Sequence, residues 1–440
     1  MYLSHNERMG AHGRFQLNNA EALRLSAEFG TPLYVLSEAH IRQRVTDFSL
    51  AIQSDGAGEL FYASKANGAL AVLSLMHRLG CKIDIASEGE LRAALAAGVP
   101  AEDINFHGNF KSSSELEFAL KLPIGEITID NDFELTQIAQ LKSHLDASQT
   151  RFSLRVVPDV DPQTHRRIST GKEDSKFGVP IKVGQAERLL LRAKELGIAI
   201  SGIHAHVGSQ LIDLKAQIQS AQTISSFAVR MIQSGVAHMD RVNLGGGLGI
   251  QYKTVQSPVS IGEYVSIITS AAKEAFAEAN LPYPTWIHEP GRALIGDCGI
   301  TLYSVGPIKD VPHADGTTTR YVAVDGGLSD NPRPGFYDAE YDVVWASPNL
   351  PAGEQTVKVV GRHCETDDLF DDVPAPASLR SGDICQVLCT GAYNFSMASN
   401  YNRFVRPAMV MLRESGEVEI IVKRENFCQL WERESIGEGQ

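Results

Sequence analysis

Six short apolar segments of this chain carry an ionisable side chain near their end. Lys65 lies in FYASKA, Asp84 in KIDIAS, His107 in INFHG, Arg155 in FSLRVV, His206 in ISGIHAHV and Glu289 in TWIHEP, and a seventh acid, Asp130, ends EITID. One such residue is explained by a strand end that meets water. A ring of them converging on one mouth is better explained by a site. Lys65 stands beside Tyr62 and Ala63. A lysine held among apolar neighbours shifts its pKa readily and suits Schiff-base chemistry; the alternative is a lysine snorkelling at a rim. In NLGGGLG (243–249), Gly245, Gly246 and Gly247 let backbone N–H groups approach a phosphate closely. A tight turn alone would need one glycine. The run lacks the GxGxxG spacing of a dinucleotide site.

His204 and His206 are two apart, so on a strand they share a face. Spacing leaves three readings open: a metal pair completed by carboxylates, a ring stacked on a flat ligand, or two satisfied core histidines. Glu289 and Arg292 belong to HEPGR (288–292), where Pro290 and Gly291 force a turn that can aim both charges inward. Arg333 and Tyr337 in NPRPGFYDAE, and Cys364 and Glu365 in GRHCETDDLF, are individually weak signals.

Eight elements are needed to position the ring. The β-branched runs 61–66, 82–87, 104–108, 126–130, 152–157, 200–207, 241–246 and 285–290 read as strands. Between them, 69–79, 88–97, 112–121, 133–145, 185–196, 214–233 and 261–279 space their apolar residues three and four apart, as amphipathic helices do. Eight such alternations predict a (β/α)8 barrel, whose sites form at the C-terminal strand ends. The alternation stops near residue 300. Strand-like runs at 319–327, 355–362, 383–390 and 418–424, separated by Gly, Pro and Asp, predict a β-rich domain. The run PLYVLS (32–37) is assigned to that domain, so the expected division is 41–298 for the barrel and 1–40 with 299–440 for the β domain.

Composition bounds the possible functions. Of 440 residues, 43% are hydrophobic and 21% charged, as in a chain that buries a core. Its 53 acids against 40 Lys and Arg argue against nucleic-acid or anionic-membrane partners. Six scattered cysteines without CxxC spacing fit reduced thiols in a cytosol. No stretch offers the roughly 18 apolar residues of a membrane helix, and the first 15 residues lack the apolar core of a signal peptide.

Taken together, the motifs resemble the fold-type III pyridoxal-phosphate decarboxylases. The matching segments are FYASKAN (61–67), FHGNFKS (106–112), RVVPDVDPQTHRRISTGKEDSKFG (155–178), HAHVGSQL (204–211), NLGGGLGIQY (243–252), EPGR (289–292), RPGFYDA (333–339), CETDDLF (364–370) and GAYNFSMASNYN (391–402). They follow the family's order from about residue 30 to residue 425. The resemblance implies a barrel plus a β domain, bound pyridoxal 5'-phosphate, no metal, and a homodimer with shared sites. It implies that Lys65 binds the cofactor covalently and that His206 stacks on its ring. Ser209 and Gly245–Gly247 would hold the phosphate, Glu289 would face the pyridine nitrogen, and Tyr393 would be a further cofactor contact. Arg292, Arg333, Tyr337, Glu365 and Tyr393 would meet the substrate, and Cys364 would return a proton to it.

The chemistry is consistent with these roles. A carboxylate at the pyridine nitrogen strengthens the electron sink, which suits decarboxylation. Two arginines offer bidentate donors to a distal carboxylate. The expected reaction is conversion of meso-2,6-diaminopimelate to L-lysine and carbon dioxide. The alternative is a sibling decarboxylase acting on ornithine, arginine, carboxynorspermidine or a siderophore precursor. Departures from the family pattern stand at Ser64, at Gly335-Phe336, at Thr366 and at the additional acid Asp367.

Overall fold

The computed structural model describes residues 13–56, 58–160, 175–347, 354–365 and 369–437. Residues 161–174 of the long third motif, and the departures at Thr366 and Asp367, lie outside them. The described chain divides into two compact units. One comprises Arg42–Ile250 and Ser257–Leu294; the other comprises the described residues up to Ile41, Gln251–Gln256 and the chain from Ile295 onward.

The first unit is a closed barrel. After β1 (Leu33–Ser37), which belongs to the other unit, come β2 (Gly58–Ala63), β3 (Lys82–Ile85), β4 (Ile104–Phe106), β5 (Glu126–Ile129) and β6 (Arg151–Val157). A two-residue β7 (Val179–Pro180) extends β6, and β8 (Ile200–His204), β9 (Arg241–Asn243) and β10 (Thr285–His288) complete the ring. The parallel order is β5-β4-β3-β2-β10-β9-β8-β6, and β5 pairs with β6 to close it. The strands are nearly continuous apolar runs because helices cover the outer face. Seven expected helices form, each within a few residues of the bounds that periodicity predicts. Of these, α4 (Glu88–Ala96), α5 (Ser113–Leu120), α6 (Asp132–Lys142) and α9 (Ile261–Glu278) start where Ser87, Ser112, Asn131 and Ser260 accept the backbone N–H three residues on. Such caps satisfy donors that the first helical turn leaves unpaired.

The second unit is built on one nine-stranded sheet. Its central path is β15-β14-β12-β11-β1-β17-β18, with β16 joined to both β11 and β13. Their ranges are β11 Gly299–Pro312, β12 Thr318–Val324, β13 Val343–Ala346, β14 Glu354–Val360, β15 Phe370–Pro376, β16 Ile384–Val387, β17 Ala408–Leu412 and β18 Val418–Val422. The strand expected near 32–37 is β1, paired antiparallel with β11 and parallel with β17. Sequence reading missed β11, β13, β15 and β17. In β11, Gly306 and Pro307 interrupt the strand pattern, and there the pairing with β12 shifts register. Pro374 and two acids obscure β15 in the same way. Among the described residues, no helix is long and apolar enough to cross a membrane.

Candidate active site

Asp84 and Arg155 lie within β3 and β6, whereas β2, β4, β5, β8 and β10 end a residue or two before Lys65, His107, Asp130, His206 and Glu289. That early exit aims those side chains at the mouth. Lys65 sits on a single 3-10 turn, Ser64–Ala66, directly after β2. Ser64 and Ala66 point down and are buried, while Lys65 is exposed. The expected buried lysine is therefore corrected: the turn lifts Lys65 out of the apolar strand into the opening. Tyr62 fixes the turn from below, its hydroxyl donating to the Asn67 carbonyl at 3.0 Å. The Lys65 charge acts on Asp84 and His206.

Glu289, just beyond β10, is buried and heavily bonded. Its Oε1 accepts from Asn243 Nδ2 at 2.6 Å, His107 Nε2 at 2.9 Å and Asn105 Nδ2 at 3.4 Å. Its Oε2 lies 3.3 Å from His204 Nε2. Burial alone would raise the pKa of this acid, but His107 and His204 hold it well below the usual carboxylate range. Burial likewise opposes charge on His107, yet Glu289 and Asp84 outweigh it and raise its pKa. His204 goes the other way, pushed by burial to about 3 in spite of Glu289. A neutral His204 bonds Glu289 only with its proton on Nε2. Asp84, 3.6 Å from His107, is pushed by burial up to about 7, with His107 opposing. The outcome is a fixed anion at the mouth, oriented by four neighbours. Asn105 and Asn243 were not singled out by sequence reading; the signal was a polar residue at the last inward position of an apolar strand.

The structure splits the His-x-His pair. His204 is the last residue of β8 and joins His107 and Glu289, with one ligand-type atom from each lying within 4.8 Å of the others. His206 has left the strand and belongs to the glycine turn, its Nδ1 accepting the Gly246 N–H at 3.3 Å. Each glycine there is required. A Cβ on Gly245 would come 2.5 Å from the Ala205 carbonyl oxygen, and one on Gly247 equally close to that of Gly208. One on Gly246 would press still harder on the Glu289 carbonyl oxygen. Gly245 and Gly247 also have φ of +69° and +111°, values that other residues rarely adopt. Nearby, buried Arg292 donates to Ser209 Oγ from Nε at 3.3 Å and Nη2 at 3.0 Å. The expected phosphate and substrate contacts thus touch each other.

The second unit brings its own residues together. Buried Arg333 opens α11 (Arg333–Tyr337), donates from Nη1 to the Tyr341 hydroxyl, and places its guanidinium 4.8 Å from the Tyr252 ring. Tyr337 and Tyr393 are half-buried. Tyr393 has φ of +61°, unusual for an aromatic residue. Cys364 and Glu365 are exposed. The Cys364 N–H donates to Asn402 Oδ1 at 2.9 Å, and the Tyr401 hydroxyl donates to Glu365 Oε1.

A closed barrel carrying an exposed lysine, a glycine turn and a buried anion at one mouth is a cofactor barrel. The residues fit pyridoxal phosphate in particular: a turn that excludes every Cβ lets a phosphate approach the backbone closely, and a carboxylate kept ionised suits a pyridinium nitrogen. This chain belongs to the pyridoxal-dependent decarboxylases, whose pyridoxal-binding domain matches residues 38–296. Its relatives include the diaminopimelate decarboxylase of Bacillus subtilis, 41% identical over 97% of this chain and 96% of that one. That of Bacillus methanolicus is 40% identical over 97% and 98%. Among solved structures, diaminopimelate decarboxylase from M. jannaschii in complex with L-lysine superposes with TM-score 0.87 at 32% identity, covering 97% of each chain. The Helicobacter pylori enzyme complexed with L-lysine gives 0.84 at 31%, covering 93% of this chain and 98% of that one.

Proposed function

We propose that the chain converts meso-2,6-diaminopimelate to L-lysine and carbon dioxide, the last step of lysine biosynthesis, in the cytoplasm and as a homodimer with shared sites. The observation that carries this reading is the likeness to diaminopimelate decarboxylases over 97% of the chain. The charge layout supports it, since a substrate with a carboxylate and an ammonium at each end needs both signs of partner.

When bound, pyridoxal phosphate supplies a conjugated ring that takes up the electron pair released as carbon dioxide departs. The chain's own residues do the rest. Lys65 offers an exposed amine to the cofactor aldehyde. Gly245, Gly246, Gly247 and Ser209 hold the phosphate, His206 covers a ring face, and Tyr393 is a further contact. Glu289 stays ionised under His107 and His204, and so favours a proton on the ring nitrogen. Arg292, Arg333 and Tyr337 bind the carboxylate that is retained, and Glu365 binds the distal ammonium. One Cα–carboxylate bond breaks, and the Cys364 thiol gives that carbon the proton that completes L-lysine.

The reading is tested by steady-state kinetics with diaminopimelate, ornithine, arginine, lysine and carboxynorspermidine. A site that pairs buried polar groups with the distal carboxylate should favour diaminopimelate by about 10³-fold or more in kcat/KM. Equal or faster turnover of ornithine would overturn it.

A further inference from the structure

The segments 361–365 and 399–404 are tied together at several points. The His363 ring lies parallel to that of Tyr401, at 11° and 6.0 Å between centroids, and edge-on to Phe404 at 4.9 Å. Ser329 bridges the two segments: its N–H donates to His363 Nε2 at 3.3 Å, and its carbonyl accepts the Ser399 N–H at 2.8 Å. Asn402 holds the Cys364 N–H, and Tyr401 holds the Glu365 carboxylate. Asn402 and Arg403 both have positive φ, 52° and 59°. Two consecutive residues in the left-handed region are sparsely populated backbone, kept only where the surroundings over-determine it.

We infer that Tyr401 is a positioning residue that holds the Glu365 carboxylate ready for the substrate's distal ammonium. The inference rests on the proposed role of Glu365. Glu365 is exposed on a long side chain, and a free glutamate loses rotamer freedom when it is fixed by a ligand. A donor that fixes it beforehand removes that cost from binding. The Tyr401 hydroxyl is such a donor, and its ring is itself held by His363. The Tyr401 hydroxyl acts through Glu365, the residue proposed to hold the distal ammonium, so its effect falls on substrate affinity.

The test is a double-mutant cycle on the holoenzyme with Tyr401→Phe, Glu365→Gln and the pair, measuring kcat and KM for meso-diaminopimelate. Tyr401→Phe keeps the ring that stacks on His363 and removes only the hydroxyl. The expected result is a KM raised about five- to tenfold with kcat within about twofold, as for loss of one hydrogen bond of ordinary net strength. Glu365→Gln should raise KM at least as much, and the pair no further than Glu365→Gln alone. If Glu365→Gln raises KM and Tyr401→Phe does not, or if their effects multiply, the role of Tyr401 is overturned while that of Glu365 stands. If Glu365→Gln leaves KM unchanged, the assignment of Glu365 falls, and this inference with it.

Discussion

Glu289 shows how a single residue is made fit for one state. Burial would neutralise it, yet His107, His204, Asn105 and Asn243 surround it, and His107 and His204 keep it ionised. The sequence marks Glu289 and His107 as polar residues at apolar strand ends and His204 as one half of a His-x-His pair, but it does not show that the histidines serve the carboxylate. Their partners come from strands far apart in the chain, and only barrel closure brings them together. Lys65 was legible by position and misread in burial, because a three-residue turn is too short to leave a periodic signal. On the proposed reading, Lys65→Ala should abolish both turnover and the absorbance of the lysine-bound cofactor; retained absorbance would refute its assignment. Gly246→Ala should cost roughly 2 kcal/mol or more in stability, because its Cβ would press on backbone rather than on a movable side chain. It should also weaken cofactor binding in an equilibrium titration. Unchanged melting and affinity would show that the turn has room to spare.

At the scale of elements, the eight barrel strands were readable because each is a short apolar run followed by an amphipathic helix. The β-rich unit was half readable. β17, AMVML, carries no alternation because it is buried on both faces, and β11 hides behind Gly306 and Pro307. The segment between β12 and α11 carries a buried acid that sequence did not single out. Asp330 accepts from the Gly327 N–H at 3.0 Å and from the Tyr303 hydroxyl, and burial pushes it up to about 7. The folded state therefore holds its proton more tightly than the unfolded chain, where the value is ~3.9. This contribution to stability is complete below about pH 4 and is lost as pH rises through about 7. Asp330→Asn keeps an acceptor for Gly327 without the ionisation. Its melting temperature relative to the parent protein should rise by roughly 2–8 °C between pH 5 and pH 8. A pH-independent difference would contradict that assignment of the acid.

At the scale of the whole molecule, the proposed homodimer with shared sites predicts complementation. Lys65→Ala and Cys364→Ala should each be inactive alone. Mixed one to one after unfolding and refolding, half of the dimers are mixed and each has one intact site, so activity should return to about a quarter of the parent value. No recovery would mean that each subunit builds its site alone. The division into a barrel and a β-rich unit was legible from the end of strand–helix alternation near residue 300. The transfer of Gln251–Gln256 from the barrel's sequence to the other unit was not. No periodicity marks six residues that leave one core for another.

Decarboxylation of diaminopimelate is checked at its source by following both products. The purified protein, loaded with pyridoxal phosphate, is given meso-diaminopimelate, and carbon dioxide and L-lysine are quantified together. One of each per substrate consumed is expected, with no lysine formed by Lys65→Ala. A protein that shows the cofactor's absorbance yet yields neither product would contradict the proposed reaction.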